Sequence, residues 1–98
     1  MTLHHDVREA HTAILIGVDT HKQTHVAVAI NRLGARLADC SIAADGAECV
    51  ALVAWARALG DIEVFAIEGT GSYGAGLTSF VRRQAFRVVE VSHCDRRK

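Results

Sequence analysis

The 98-residue sequence contains no proline, and its three cysteines, Cys40, Cys49 and Cys94, include no CxxC pair. Without proline, no turn has its backbone angle fixed in advance. An odd number of cysteines argues against a disulfide framework, and the lack of a CxxC spacing argues against a structural zinc site. The cysteines therefore predict free thiols in a reducing compartment such as the cytoplasm.

Long apolar runs and an excess of one charge are also absent. No run approaches the roughly 18 residues that cross a bilayer, and the first six residues lack the basic and apolar regions of a signal peptide. We therefore expect a soluble, unprocessed protein with no membrane partner. The 11 basic and 11 acidic residues balance, so a nucleic-acid surface could only be a local feature.

Hydrophobic residues, in contrast, make up 50% of the chain, which excludes a disordered tail. The length suits one domain with a modest core. Residues 1–12 are polar and aperiodic, and we interpret them as an N-terminal arm. Residues 13–98 would then form the folded domain.

Five segments have the pattern of strands and two have the pattern of helices. The strands are predicted at residues 13–18, 24–30, 35–42, 62–67 and 86–91, and the helices at residues 48–59 and after about residue 70. The first strand is an uninterrupted apolar run, typical of a central strand covered on both faces. In the second helix, Thr70 or Ser72 is expected to act as N-cap and Tyr73 to face inward.

Right-handed crossovers through the two helices give a mixed five-stranded sheet in the order three-two-one-four-five. This is an α/β, RNase H-like (RuvC-like) arrangement with helices after the third and fourth strands. A ferredoxin-like or flavodoxin-like sheet is the alternative.

Two acids follow neighbouring strands of this predicted sheet. Asp19 ends the first strand and Glu68 ends the fourth. Adjacent parallel strands are about 4.8 Å apart, so both carboxylates would share one crevice and could bind one divalent cation. Either acid alone is more simply a turn residue, but the pair favours a catalytic metal site for Mg²⁺-dependent phosphoryl transfer.

Residues that could contact a phosphate backbone surround this pair. Thr70, Ser72 and Tyr73 lie in a glycine-rich link whose backbone amides could face an anion at a helix N-terminus. The alternative is a tight strand-to-helix turn. Lys22 could touch a phosphate or lie in a solvated turn, and Arg82 and Arg83 form either a local nucleic-acid surface or a solvated helix face.

Two motifs, "AILIGVDTHKQTHVAVAI" and "VFAIEGTGSYGAGL", resemble the leading motifs of the DEDD transposases of the insertion-sequence-110 family. The resemblance covers roughly residues 13–98. It implies a RuvC-like catalytic domain with four acids, in the order Asp, Glu, Asp, Asp, that bind Mg²⁺, for which Mn²⁺ can substitute. Asp19 matches the first acid and Glu68 the second.

Nothing in the sequence matches the family's Lys-Ser-Asp-x-x-Asp-Ala type motif, which carries the third and fourth acids. The chain therefore resembles an N-terminal fragment that lacks the final helix and the last acidic motif. One face of the fourth and fifth strands should then expose apolar side chains, which would favour self-association or pairing with a full-length transposase. The side chains expected there are Val64, Ala66, Phe86 and Val88.

The resemblance also implies DNA as a partner, an element-encoded guide RNA in the full-length family, and a bacterial cytoplasmic location. Two other functions stay open. The chain could be a non-catalytic nucleic-acid-binding or regulatory remnant. It could also be half of an actin-like ATPase or sugar kinase, although those proteins usually place a glycine in the hairpin that here reads Asp19-Thr20-His21-Lys22.

Overall fold

The computed structural model describes residues 13–45 and 47–91, and the predicted N-terminal arm lies outside them. These residues form five strands and two helices. The strands are β1 (Ala13–Asp19), β2 (Thr24–Asn31), β3 (Arg36–Ala43), β4 (Asp61–Glu68) and β5 (Val88–Val91), and the helices are α1 (Glu48–Arg57) and α2 (Ala75–Arg83). Neither helix in this part of the chain is long and apolar enough to cross a membrane.

The strands form one sheet in the order β3-β2-β1-β4-β5. This confirms the predicted mixed α/β fold with helices after the third and fourth strands. β1 pairs antiparallel with β2 and parallel with β4, and it lies at the centre of the sheet. Both helical crossovers carry the chain in the same direction across the sheet, so right-handed connections place both helices on one face.

That helix-covered face contains the core. Along β1, burial alternates: Ile14, Ile16 and Val18 are buried, whereas Leu15 and Gly17 are partly accessible. The buried side chains of the strands pack against those of the two helices in a single cluster. Its members are Ile14, Ile16, Val18, Ala27, Ala29, Leu52, Val53, Ala56, Phe65, Ile67, Leu77 and Val81.

The opposite side of the sheet, which we call the open face, is not packed by either helix. The prediction that β1 is covered on both faces is therefore wrong within residues 13–45 and 47–91. On this face Val26 is 36% exposed, Val89 40% and Val91 37%. The apolar run of β1 reflects its central position between β2 and β4, where even the open-face residues Leu15 and Gly17 are only partly accessible.

Most of the apolar side chains that the open face exposes differ from those expected. Val88 pairs with Phe65 and lies on the helix side, where it and Phe86 pack against the core. Val64 faces the other way but is only 8% exposed. Of the expected set, Ala66 alone is partly accessible on the open face, where it lines a depression. The pleat exposes Val89 and Val91 of β5 in place of the other three, and self-association through this face stays a prediction.

A β-bulge in β4 adjusts the register with β1. Ile14 pairs with Ile62, but Leu15 pairs with Val64, so Glu63 is an extra residue on β4. The Arg32 guanidinium lies 3.2 Å from a Glu63 carboxylate oxygen. The bulge shifts every later β4 residue by one position relative to β1, because an extra residue changes which side chains are opposite each other.

The helix-covered core predicts a sharp contrast between two positions of α1. Leu52 is 1% exposed and Val50 is 64% exposed. Leu52→Ala should lower the free energy of unfolding by about 2–5 kcal/mol, because it leaves a cavity in the core. Val50→Ala, the matched control, should change it by less than about 0.5 kcal/mol. Urea unfolding followed by circular dichroism measures both, and equal effects would contradict the assigned packing.

Candidate active site

The two acids lie level with each other on the open face. Val18 pairs with Ile67, so Asp19 and Glu68 are each one residue further along adjacent parallel strands. Both residues line one depression of about 350 Å³, together with Gly17 and Ala66. The structure thus brings the two predicted acids together at the carboxyl ends of β1 and β4.

Asp19 also contacts the residue two positions further along. The Nε2 atom of His21 lies 3.1 Å from a carboxylate oxygen of Asp19, and both side chains are about half exposed. The backbone N–H of His21 in turn donates a hydrogen bond to Nδ1 of His25, at 3.3 Å. The turn between β1 and β2 is therefore connected both to the acid and to the buried side of the sheet.

Thr20 ties the two acid-bearing strand ends to each other, and the sequence interpretation missed it. Its side chain is buried, and its hydroxyl donates a 2.7 Å hydrogen bond to the backbone carbonyl of Glu68. The bond joins the residue after one acid to the other acid itself. No local pattern marks this threonine, because its partner is 48 residues away in the sequence.

The glycine-rich link after Glu68 forms a compact turn. Gly69 has a positive φ of 74°, and its carbonyl accepts hydrogen bonds from the N–H groups of Ser72 and Gly74, at 3.0 and 2.7 Å. Because these amides are used within the turn, the arrangement favours the tight-turn interpretation over an anion cradle. Gly74 is the N-cap of α2, with no side-chain capping bond, so the predicted cap by Thr70 or Ser72 is wrong.

The close approach of the backbone explains two of these glycines. A Cβ on Gly74 would lie 2.8 Å from the carbonyl oxygen of Gly69. A Cβ on Gly69 would lie 2.5 Å from the Thr20 hydroxyl. The glycines therefore allow the turn to close against Thr20, beside the acids.

Of the predicted nucleic-acid contacts, Lys22 and Tyr73 come together. They line a second depression of about 590 Å³, with the turn residues His21, Gln23 and Thr24. Tyr73 is 58% exposed, so the expectation that it faces inward is wrong. Its position outside the core leaves the ring available to a ligand near Lys22.

The other predicted contacts are divided between the two ends of α2. Thr70 and Ser72 lie in the turn before the helix, next to Glu68. Arg82 and Arg83 are exposed in its last turn. The last turn of α2 is about 12 Å along the helix axis from the first turn. Because α2 runs back across the sheet between β4 and β5, its last turn lies at the opposite end of the sheet from the acids.

The thiols of Cys40 and Cys49 take no part in this site. Burial raises the pKa of Cys40, and the nearby Asp39 carboxylate raises it further. Burial also raises the pKa of Cys49, with a contribution from Glu48 that Arg83 partly opposes. Protonated thiols are poor metal ligands and nucleophiles. Among the described residues, no group of three or more His, Cys, Asp or Glu side chains is arranged to hold a metal ion.

Comparison with known families identifies the domain. Residues 16–98 match the model of a transposase family, the DEDD transposases of the insertion-sequence-110 family. The chain belongs to this family. The match confirms the resemblance carried by the two motifs, and it includes Asp19, Glu68 and the turns that follow them.

A solved structure supports the fold of this DEDD transposase domain. The crystal structure of Pelota from Archaeoglobus fulgidus superposes with a TM-score of 0.55 at 13% sequence identity. The superposition covers 94% of this chain and 31% of the Pelota chain. At that identity the likeness concerns the fold alone. A comparison with curated protein sequences finds no match.

The crowded turn beside the acids predicts opposite effects at two glycines. Gly74→Ala should destabilise the fold by about 1–3 kcal/mol, because the new methyl group overlaps the Gly69 carbonyl. Gly76→Ala, two residues further on, meets no atom within 4 Å and should stabilise α2 by about 0.5–1 kcal/mol. Thermal unfolding measures both, and a stabilising Gly74→Ala would contradict the described turn.

Proposed function

We propose that this DEDD domain contributes Asp19 and Glu68 as the first two acids of a transposase site that acts on DNA by Mg²⁺-dependent phosphoryl transfer. The observation that carries the proposal is the shared depression at the carboxyl ends of β1 and β4, which both residues line. The family membership of residues 16–98 supports DNA as the substrate.

The residues present fit a hard divalent cation. Carboxylate oxygens are the ligands that Mg²⁺ prefers, and a cation between two carboxylates at one level would relieve their mutual repulsion. Gly17 and Ala66 give the depression a floor with little side-chain bulk, and a Cβ on Gly17 would meet no atom within 4 Å. Asp19 and Glu68 would hold the ion.

Mg²⁺, or Mn²⁺ in its place, would supply activation of the attacking oxygen and stabilisation of the leaving one. A two-metal site needs further carboxylates. We propose that these come from outside residues 13–45 and 47–91, as in the Asp, Glu, Asp, Asp order of the family. The role of this chain's own residues is to bind the cation and to present the adjoining surface to the nucleic acid.

The adjoining surface consists of Lys22, Tyr73 and the hydroxyls of Thr70 and Ser72. Lys22 supplies a positive charge for a backbone phosphate, and the exposed ring of Tyr73 can stack on a base. Arg82 and Arg83 lie at the other end of α2, so they would contact only a longer nucleic acid that follows the helix. Guidance by an element-encoded RNA belongs to this proposal for the full-length protein.

A second candidate is a non-catalytic nucleic-acid-binding or regulatory role. It is favoured by the absence, among the described residues, of a third acid beside Asp19 and Glu68 that would complete a metal-binding group. Nucleic-acid binding without metal binding would decide for this second role. The family match gives no support to the ATPase or sugar-kinase interpretation.

The metal proposal predicts a loss of Mn²⁺ affinity when either acid is neutralised. Removing even an indirect partner of a metal costs about 10–100-fold in affinity, so Asp19→Asn and Glu68→Gln should each lower it at least about tenfold. Asp61→Asn is the matched control, since Asp61 begins β4 at the opposite end of the sheet. Electron paramagnetic resonance of free Mn²⁺ during a titration measures the affinity. Unchanged affinity in both acid variants would end the shared-metal proposal.

The nucleic-acid proposal predicts that Lys22 and the arginines of α2 differ in their effect on DNA binding. Lys22→Ala should reduce the slope of log K against log salt for single-stranded DNA by about 0.7, the value for one lost phosphate contact. Arg82→Ala should leave the slope nearly unchanged on a short oligonucleotide. Fluorescence anisotropy over a salt series gives both slopes. The reverse pattern would place the binding surface at the other end of α2.

A further inference from the structure

His25 is a buried histidine that the metal site and the nucleic-acid surface leave unexplained. It is 2% exposed, in β2, on the helix-covered face of the sheet. Its Nε2 atom is one of two buried side-chain polar atoms, in residues 13–45 and 47–91, that lack a hydrogen-bond partner. Burying a polar ring without full compensation costs free energy, so a simple packing role would be served better by an apolar side chain.

The hydrogen bond at Nδ1 identifies the tautomer of the His25 imidazole. Nδ1 accepts the N–H of His21, so Nδ1 carries no proton, and the neutral imidazole has its proton on Nε2. Nε2 faces Glu48, whose carboxylate oxygen is 3.7 Å away and whose side chain is 12% exposed. The ring is therefore held between the first turn of α1 and the turn that connects β1 with β2.

That turn carries the Asp19 site. His21 receives its backbone support from His25, and its own imidazole contacts the Asp19 carboxylate. A continuous series of contacts thus runs from Glu48 in the helix layer, through His25 and His21, to the acid on the open face. Thr20 anchors the same turn separately through the Glu68 carbonyl.

We propose that His25 is a positioning residue: its Nδ1 atom fixes the backbone of His21, and through the His21 imidazole it orients the Asp19 carboxylate for cation binding. The inference rests on the proposed function in one respect, namely that Asp19 binds a divalent cation. It adds a residue on the buried side of the sheet to a site that lies on the open face.

Three substitutions separate positioning from packing in the 98-residue protein. His25→Asn keeps an acceptor oxygen close to the position of Nδ1 and removes the group that faces Glu48. His25→Gln keeps a polar group near Nε2 and loses the acceptor at Nδ1. His25→Phe keeps the buried ring and loses both. Urea unfolding checks that each variant is folded under the conditions of measurement.

We expect Mn²⁺ affinity to follow the Nδ1 acceptor. His25→Asn should stay within about twofold of the wild type, whereas His25→Gln and His25→Phe should lose about tenfold, the lower end of the effect of an indirect ligand partner. A purely structural role would instead make affinity follow stability in all three variants. The proposal would be overturned if His25→Asn and His25→Phe lost Mn²⁺ affinity equally, or if His25→Phe lost none.

A readout that needs no metal separates this inference from the proposed function. Hydrogen exchange of the His21 amide should be slow in the wild type and in His25→Asn, and faster in His25→Gln and His25→Phe. Nitrogen chemical shifts of the His25 ring should show an unprotonated Nδ1. If the wild type binds no Mn²⁺, the proposed function fails, and the exchange pattern alone decides whether His25 holds the turn. Equal exchange of the His21 amide in all variants would overturn the positioning role.

Discussion

The parallel pairing of β1 with β4 is the constraint on which the rest of this domain depends. Parallel strands end at the same edge of a sheet, so a carboxylate after each strand reaches the same place. Here the pairing brings Asp19 beside Glu68, although 49 positions separate them in the sequence. The right-handed crossovers that parallel pairing requires also collect both helices on one face. Each acid directly follows a buried core residue, Val18 or Ile67, so the alternation of side chains places both acids on the face that the helices leave open.

The parallel pairing of β1 with β4 would not by itself place the two acids side by side. The pairing at Ile14 and Ile62, continued without interruption, would place Asp19 opposite Ile67, a core residue of the other face. The extra residue at Glu63 shifts the register, so that Val18 is opposite Ile67 and both acids face the same depression. Beyond this point the Thr20 hydroxyl joins the two strand ends. The strand order brings the two acids to the same edge of the sheet, and the β-bulge at Glu63 and the Thr20 hydrogen bond then determine their relative position.

The two faces of the sheet have different roles. The helix-covered face buries the apolar cluster that stabilises the domain, and the open face presents carboxylates above small and partly exposed apolar side chains. The connecting turns at the acid end add Lys22 and Tyr73, so the groups suited to a cation and to a phosphate backbone lie at one end of the molecule. His25 links these faces, because it is buried beside Glu48 in the first turn of α1 and contacts the turn that carries His21. Stability and the candidate chemistry are thus coupled through a few identifiable contacts.

The sequence by itself determined the strands, the helices, their order and the two acids, since apolar periodicity and the paired motifs are local patterns that need no partner to be recognised. It could not reveal the bulge at Glu63, the Thr20 bond to Glu68 or the contact between His25 and Glu48. It also misplaced the exposed valines of β5, because a shift of one residue in the register of a strand moves each side chain to the other face. It misplaced Tyr73, because α2 begins only at Ala75. Only the tertiary structure decided these features, because each depends on the register between distant segments, which the core fixes when it packs.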